Sequence, residues 1–149
     1  MSQPATRGRR ARLDDDAPNF SRFIGLVRER MEGGACAVRL PLRPEHFNLG
    51  GVVHGGVTAA ILDSCMGGAV VSTLADAEWT GTAQLDLKYL RWAQGQELRA
   101  TGQVVKRGKA LAFVEGSVHD DRGQEVARAS GVWFIWSEDE RPQGPPEGA

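Results

Sequence analysis

The sequence predicts an α+β domain in which an antiparallel β-sheet wraps around one central helix. Two observations carry this. Residues 56–75, GVTAAILDSCMGGAVVSTLA, set apolar or small side chains on nearly every face, and a helix apolar all round belongs in the middle of a domain. Downstream, four consecutive segments alternate apolar and polar residues with the period of two that marks strands. Strands folded about a single covered helix are the simplest arrangement of these parts. One helix covers only part of such a sheet, so edges or faces remain for a second subunit. The expected assembly is a homodimer or a dimer of dimers.

The elements follow in order. APNFSRFIGLVRERM (17–31) carries Phe20, Phe23, Ile24, Val27 and Met31 at helical spacing and predicts an amphipathic helix ended by Gly33-Gly34. ACAVRLPL (35–42) predicts a first strand, and RPEHFNLGGVVHGG (43–56) has the glycines and proline of a long irregular loop. In the central helix, Ala59, Ala60, Gly67 and Gly68 permit close approach by other backbone. The two glycines cost about 1 kcal/mol each against alanine, which packing must offset. TAQLDLKYLRWA (82–93) places Ala83, Leu85, Leu87 and Tyr89 opposite Gln84, Asp86 and Lys88. Two strands, 97–106 and 109–120, meet at Lys106-Arg107-Gly108-Lys109. A turn at 120–123 leads into the last strand, EVARASGVWFIW (125–136), whose Trp133 and Trp136 are expected in the core or an interface.

The 149 residues suffice for one core and are too few for two ordinary domains. The folded unit is expected over 18–137, with disordered arms at 1–17 and 138–149 whose Arg, Asp, Pro and Gly leave little to bury. A net charge of −1 gives no overall field toward nucleic acid or an anionic membrane. No run reaches the ~18 apolar residues of a membrane span. The basic start, MSQPATRGRRAR, lacks the apolar core of a secretory signal. These features predict a cytoplasmic protein. Cys36 and Cys65 supply neither a disulfide framework nor CxxC spacing, and His46, His54 and His119 lack ligand spacing, so no metal is expected.

One charged side chain stands between Gly55 and Val71, that of Asp63. A carboxylate in an apolar helix is costly unless hydrogen-bonded or paired. It is either a structural group bonded to its neighbours or a general base, a role that burial favours by strengthening the base. Gly55-Gly56 opens the same helix, where amides lack internal acceptors and favour negative charge. Such an amide is a candidate oxyanion donor for acyl transfer, and the alternative is a flexible entry turn. Eight residues at ~1.5 Å put Gly55 and Asp63 ~12 Å apart along the axis. A reacting carbonyl needs its donor and its base each within ~3 Å. A single helix cannot serve both, whereas two antiparallel copies can, so a catalytic site here would be shared between subunits. A Cys65–histidine pair is the weaker nucleophile, since a small buried cysteine is the ordinary occupant of an apolar helix.

Asn48-x-x-Gly51-x-x-His54-Gly55-Gly56, followed by Ala60-Ile61-Leu62-Asp63, resembles the signature of hotdog-fold acyl-CoA thioesterases of the PaaI-like, phenylacetate-pathway group. LDLKYLRWA (85–93) and VVKRGKALAFVEGSV (104–118) are similar to that family's strands, and the resemblance spans about residues 35–136. Trp92 stands where the family's YLRP has proline. The resemblance implies an acyl-CoA thioesterase with a hotdog fold, coenzyme A entering as part of the substrate and no further cofactor. It implies Asp63 as general base or nucleophile and the partner subunit's Gly55 amide as the group polarising the thioester carbonyl. Asn48 would orient the carbonyl or water, His54 would hold the loop and the leaving-sulfur side, and Thr82 would bond the attacking water. Arg91, Lys106, Arg107, Gly108 and Lys109 would lie near the phosphates and pantetheine arm. Two other functions stay open at this point. One is a non-hydrolytic acyl-CoA binding or sensing domain, against which the retained Asp63 argues. The other is a hydratase or dehydratase, which would call for an essential histidine.

Overall fold

The computed structural model describes residues 19–140, so most of both arms expected to be disordered lies outside the described residues. The elements are α1 (Phe20–Ile24), β1 (Val27–Glu32), β2 (Ala35–Pro41), a 3-10 turn (Pro44–His46), α2 (Gly55–Val71), β3 (Glu78–Tyr89), β4 (Glu97–Arg107), β5 (Leu111–Asp120), β6 (Glu125–Ser137) and a closing 3-10 turn (Glu138–Glu140). The six strands form one antiparallel sheet in the order β1-β2-β4-β5-β6-β3. This is the α+β arrangement expected, with α2 held against the sheet.

The first helix is shorter than its spacing predicts. Asn19 caps α1 by accepting the Arg22 N–H, and Gly25 ends it in the left-handed region at φ 85°. Gly25 donates back to Arg22 and Ser21, closing the helix after five residues. Val27–Glu32 then pairs antiparallel with β2 as an edge strand. Ladder pairing to β2 overrides the helical spacing of Val27 and Met31. Gly33 and Gly34, both at positive φ, turn the β1–β2 hairpin rather than stopping a helix. Of the expected apolar face only Ile24 is buried, whereas Phe20 and Phe23 stand exposed.

The sheet buries alternate residues against α2: Cys36, Val38 and Leu40 of β2, Leu98 and Ala100 of β4, Ala112, Val114 and Val118 of β5, and Ala127 and Trp133 of β6. From the helix come Ile61, Leu62, Cys65, Met66, Ala69 and Val70. Glycines set how closely the two layers meet. A Cβ on Gly102 would fall 3.0 Å from Met66 Cα, and one on Gly116 would fall 2.8 Å from Met66 Cγ. On the helix side, a Cβ on Gly68 would stand 2.8 Å from Cys36 Sγ. The poor helix propensity of Gly68 is therefore what lets α2 sit down on β2. Trp133 is buried in this core, as its position predicts, and Trp136 is half-buried on the outer side.

Candidate active site

The loop before α2 is tied down by two histidines. His46, buried, accepts the Arg43 N–H at Nδ1 (3.0 Å) and donates from Nε2 to the Ile24 carbonyl (2.8 Å). His54 is the N-cap of α2. Its N–H donates to His46 O (2.8 Å), and its Nδ1 accepts the Gly56 N–H (2.9 Å). That acceptor role places the proton of the neutral ring on Nε2. Holding the loop, one of the tasks implied for His54, is visible in this geometry.

Asn48 does similar work upstream. Its Oδ1 accepts the N–H groups of Gly50 (2.9 Å) and Val52 (3.3 Å), a local turn of the kind asparagine favours. The exposed loop is pinned further by the Phe47–Val53 bridge and by Val53 N–H donating to Ala93 O (2.9 Å). The oxygen of Asn48 is thus committed to its own loop, and its NH2 group is what it can offer to anything else.

Gly55 is the first residue of α2. Its N–H meets no acceptor among the described residues, while its carbonyl accepts the Tyr89 hydroxyl at 2.7 Å. A Cβ there would stand 3.1 Å from Tyr89 Oη, so glycine permits this close approach of the β3 end to the helix start. An unpaired amide at the positive end of a seventeen-residue helix is suited to a developing negative charge.

Asp63 lies in the middle of α2 and accepts the Thr82 hydroxyl on Oδ1 at 2.6 Å. Thr82 is exposed but lies on the α2 side of the sheet, since it pairs with buried Trp133 just before a bulge between Thr82 and Gln84. A hydroxyl bonded to a carboxylate is short and strong for its type. Asp63 is half-buried rather than sealed. It sits where α2 meets β3, an edge strand that pairs only with β6 among the described residues. The carboxylate is therefore held by one donor and open toward whatever covers that edge.

Cys65 turns away from the histidines. Its thiol donates to Cys36 O at 3.4 Å, and both cysteines are buried. The hydrogen bond with Cys36, together with burial, pushes the Cys65 thiol up. An activated nucleophile needs the opposite shift.

The implied coenzyme-binding residues divide between two ends of the sheet. Arg91 follows Tyr89, which pairs with Ala127, whereas the Lys106–Lys109 turn adjoins Leu111, which pairs with Phe134. Seven steps of β6 at ~3.3 Å separate those registers by ~23 Å. Within one protomer the two groups cannot hold the same phosphates. Arg107 is further committed to the Glu78 carboxylate and the Gly108 carbonyl, which leaves Lys106 and Lys109 as the free cations of that turn among the described residues. Sequence reasoning missed the hydrogen bond from Tyr89 to Gly55 and did not single out Thr58, which is buried one turn into α2. Tyr89 continues the inward face of Leu85 and Leu87, but no spacing reveals that its hydroxyl ends on Gly55.

One helix clasped by a curled antiparallel sheet is the hotdog class of fold. Residues 50–127 match the thioesterase superfamily. The chain belongs to that family, and it is a thioester hydrolase. It is similar to human acyl-coenzyme A thioesterase 13, with 30% identity over 99 residues covering 65% of this chain and 70% of the relative. A Bacillus halodurans protein whose crystal structure was solved with CoA is 39% identical, with a TM-score of 0.66 over 67% of this chain and 66% of its own. The PaaI protein of the Escherichia coli phenylacetic acid degradation operon shares the fold at a TM-score of 0.77 and 20% identity, covering 87% and 91% of the two chains. Among the described residues, no helix is long and apolar enough to cross a membrane, and no three His, Cys, Asp or Glu are grouped to hold a metal ion.

Proposed function

We propose that the chain hydrolyses an acyl-CoA to the free acid and coenzyme A at a site built by two protomers. The Thr82–Asp63 hydrogen bond on an open seam carries the reading, because it holds a carboxylate ready without enclosing it. Similarity to a human acyl-coenzyme A thioesterase and to a protein crystallised with CoA supports the substrate class. No cofactor is required.

The second protomer follows from distance. Gly55 and Asp63 of one helix are ~12 Å apart, and the twelve residues of β3 present an unpaired edge, which natural sheets seldom leave open. Antiparallel pairing of β3 with its symmetry copy turns the Asp63 end of each protomer toward the Gly55 end of the other. The same rotation brings Arg91 of one copy to the side of Lys106 and Lys109 of the other. Exposed Phe20, Phe23 and Leu49 are further surface that a partner would cover.

In this site Asp63 takes a proton from water as the oxygen attacks the thioester carbon and returns it to the leaving sulfur. Alternatively, it attacks the carbon itself to form an anhydride that water then hydrolyses, the water's protons going to the thiolate and solvent. The partner's Gly55 N–H stabilises the oxyanion, and the carbon–sulfur bond breaks to release the thiol. Asn48 and Thr82 orient the carbonyl or the water. Purified protein should release thiol from a panel of benzoyl-, phenylacetyl- and medium-chain acyl-CoAs. Asp63→Asn should lower kcat by ~10²-fold or more with unchanged circular dichroism. Absence of thiol release across the panel, or an unaffected kcat in the variant, sinks the reading.

A further inference from the structure

The outer face of the sheet, turned away from α2, divides into two parts. Over most of it stand charged side chains, among them Asp86, Lys88, Glu115 and Arg128. Toward the end of β6 it turns apolar. Phe134 and Trp136 occupy alternate positions there, Trp79 pairs with Trp136, and Leu111 pairs with Phe134. Val105 and Phe113 carry the strip on beside a hollow of about 220 Å³. Phe134, Phe113 and Val105 are 51%, 42% and 62% exposed, which makes this an apolar surface left for something to cover. Trp136 itself lies over Gly81, where a Cβ would fall 2.6 Å from its ring. Its Nε1 is the one buried side-chain nitrogen or oxygen among the described residues without a hydrogen-bond partner, and an indole N–H ordinarily finds one.

The chain brings a fitting occupant to this place. After β6 the Glu138–Glu140 turn folds back, Glu140 Oε2 accepting the Ser137 N–H at 3.3 Å, so the backbone leaves the sheet beside Trp136. The sequence continues Arg141-Pro142-Gln143-Gly144-Pro145-Pro146-Glu147. Proline-rich segments favour the polyproline II helix, which rises ~3.1 Å per residue, so the six steps to Glu147 reach ~19 Å. Four steps of β6 from Trp136 to Val132 need only ~13 Å. Aromatic-lined grooves take up such segments, prolines against rings, and a backbone carbonyl of the segment can accept an indole N–H. The length also carries Glu147 to Lys106, which pairs with Phe113 at the far end of the strip and makes no ion pair among the described residues. A second sheet laid flat on this face would bury the charged rows with the strip, at the desolvation cost of each charge. A single extended segment covers the strip alone.

We propose that residues 142–147 lie along this strip on their own protomer. Pro145 and Pro146 rest against Phe134 and Phe113, a backbone carbonyl takes the Trp136 N–H, and Glu147 pairs with Lys106. The cover is taken from the arm beyond β6 and shields the strip from further copies of the chain.

The test is nuclear magnetic resonance and needs no thioester. Both native thiols are buried, so Gly148→Cys gives a single site for a nitroxide spin label. In the isotope-labelled full-length chain the label should broaden the amide signals of Phe113 and Phe134 and the indole signal of Trp136, and leave β1 sharp. Spin-labelled chain mixed with isotope-labelled wild type should broaden nothing. Pro142→Ser, Pro145→Ser and Pro146→Ser together should abolish the broadening and speed exchange of the Trp136 indole proton several-fold, with circular dichroism unchanged. Phe113→Ser should abolish it from the other side. Four outcomes overturn the proposal: broadening absent or spread evenly over the surface; broadening that survives the loss of the prolines; broadening in the mixed sample, which assigns the segment to another copy; or a smaller assembly in Phe113→Ser with broadening unchanged, which marks the strip as a subunit contact.

Discussion

The start and the middle of α2 are built by opposite means. At its start the helix offers backbone. His54 caps it, Tyr89 takes up the Gly55 carbonyl, and one N–H is left without an acceptor. At its middle the helix offers a side chain, and a threonine from an edge strand holds Asp63. The start is framed by loops and the middle by the sheet. A group that stabilises charge can be an amide fixed by its own helix, since helical geometry aims it. A group that moves protons must be a side chain, so it needs an outside donor to fix its position. On the proposed reading, separating the two by ~12 Å on one rigid helix makes each protomer carry both halves of a site that it cannot join alone.

The largest effect that could break this comparison comes from mixing defects. Relative to Gly55→Ala, Gly55→Pro removes the amide proton and closes a ring onto the nitrogen. Proline suits the first helical position, and His54 at ψ 132° has the extended backbone that precedes proline well. Its kcat should fall ~10²-fold below that of Gly55→Ala, which keeps the amide and carries the same Cβ. When Gly55→Pro and Asp63→Asn protein exchange subunits, about a quarter of wild-type activity should return, because about half the dimers are mixed and each regains one of two sites. No recovery would place donor and base within a single protomer.

A smaller effect sharpens the middle. Thr82→Ala removes the one donor on Oδ1 and should lower kcat about ten-fold, with Thr82→Ser restoring most of it. The smallest belongs to the start. Tyr89→Phe removes the side-chain donor to the Gly55 carbonyl and should cost about 1 kcal/mol in urea unfolding, with Asp63 chemistry unchanged in its pH profile. A larger loss of kcat in Tyr89→Phe than in Thr82→Ala would reverse the assignment of tasks to the two regions.

The central helix and strands β2 to β6 were legible because each rests on local pattern, an all-round apolar run or alternation. Strand β3 nonetheless runs Glu78–Tyr89 rather than 82–93, because its pairing with Ser137 to Ala127 of β6 sets its ends. The first helix was misjudged past Gly25 because Val27 and Met31 satisfy two periodicities at once, and a partner strand decided between them. The split between Arg91 and the Lys106–Lys109 turn was invisible for a related reason. Charge can be read from a sequence, but strand register decides which charges meet. Arg107 illustrates this, since its Glu78 partner lies on β3 and no local signal links the two.

Gly102 and Gly116 lie directly beneath Met66, three residues beyond Asp63 on the same helix. A methyl group on Gly102 would press on the helix backbone at Cys65 and Met66, whereas one on Gly116 would meet the Met66 side chain and the Thr101 carbonyl of the neighbouring strand. On the proposed reading, the layer beneath Met66 is thus a second place, remote from any substrate, from which the setting of Asp63 is determined.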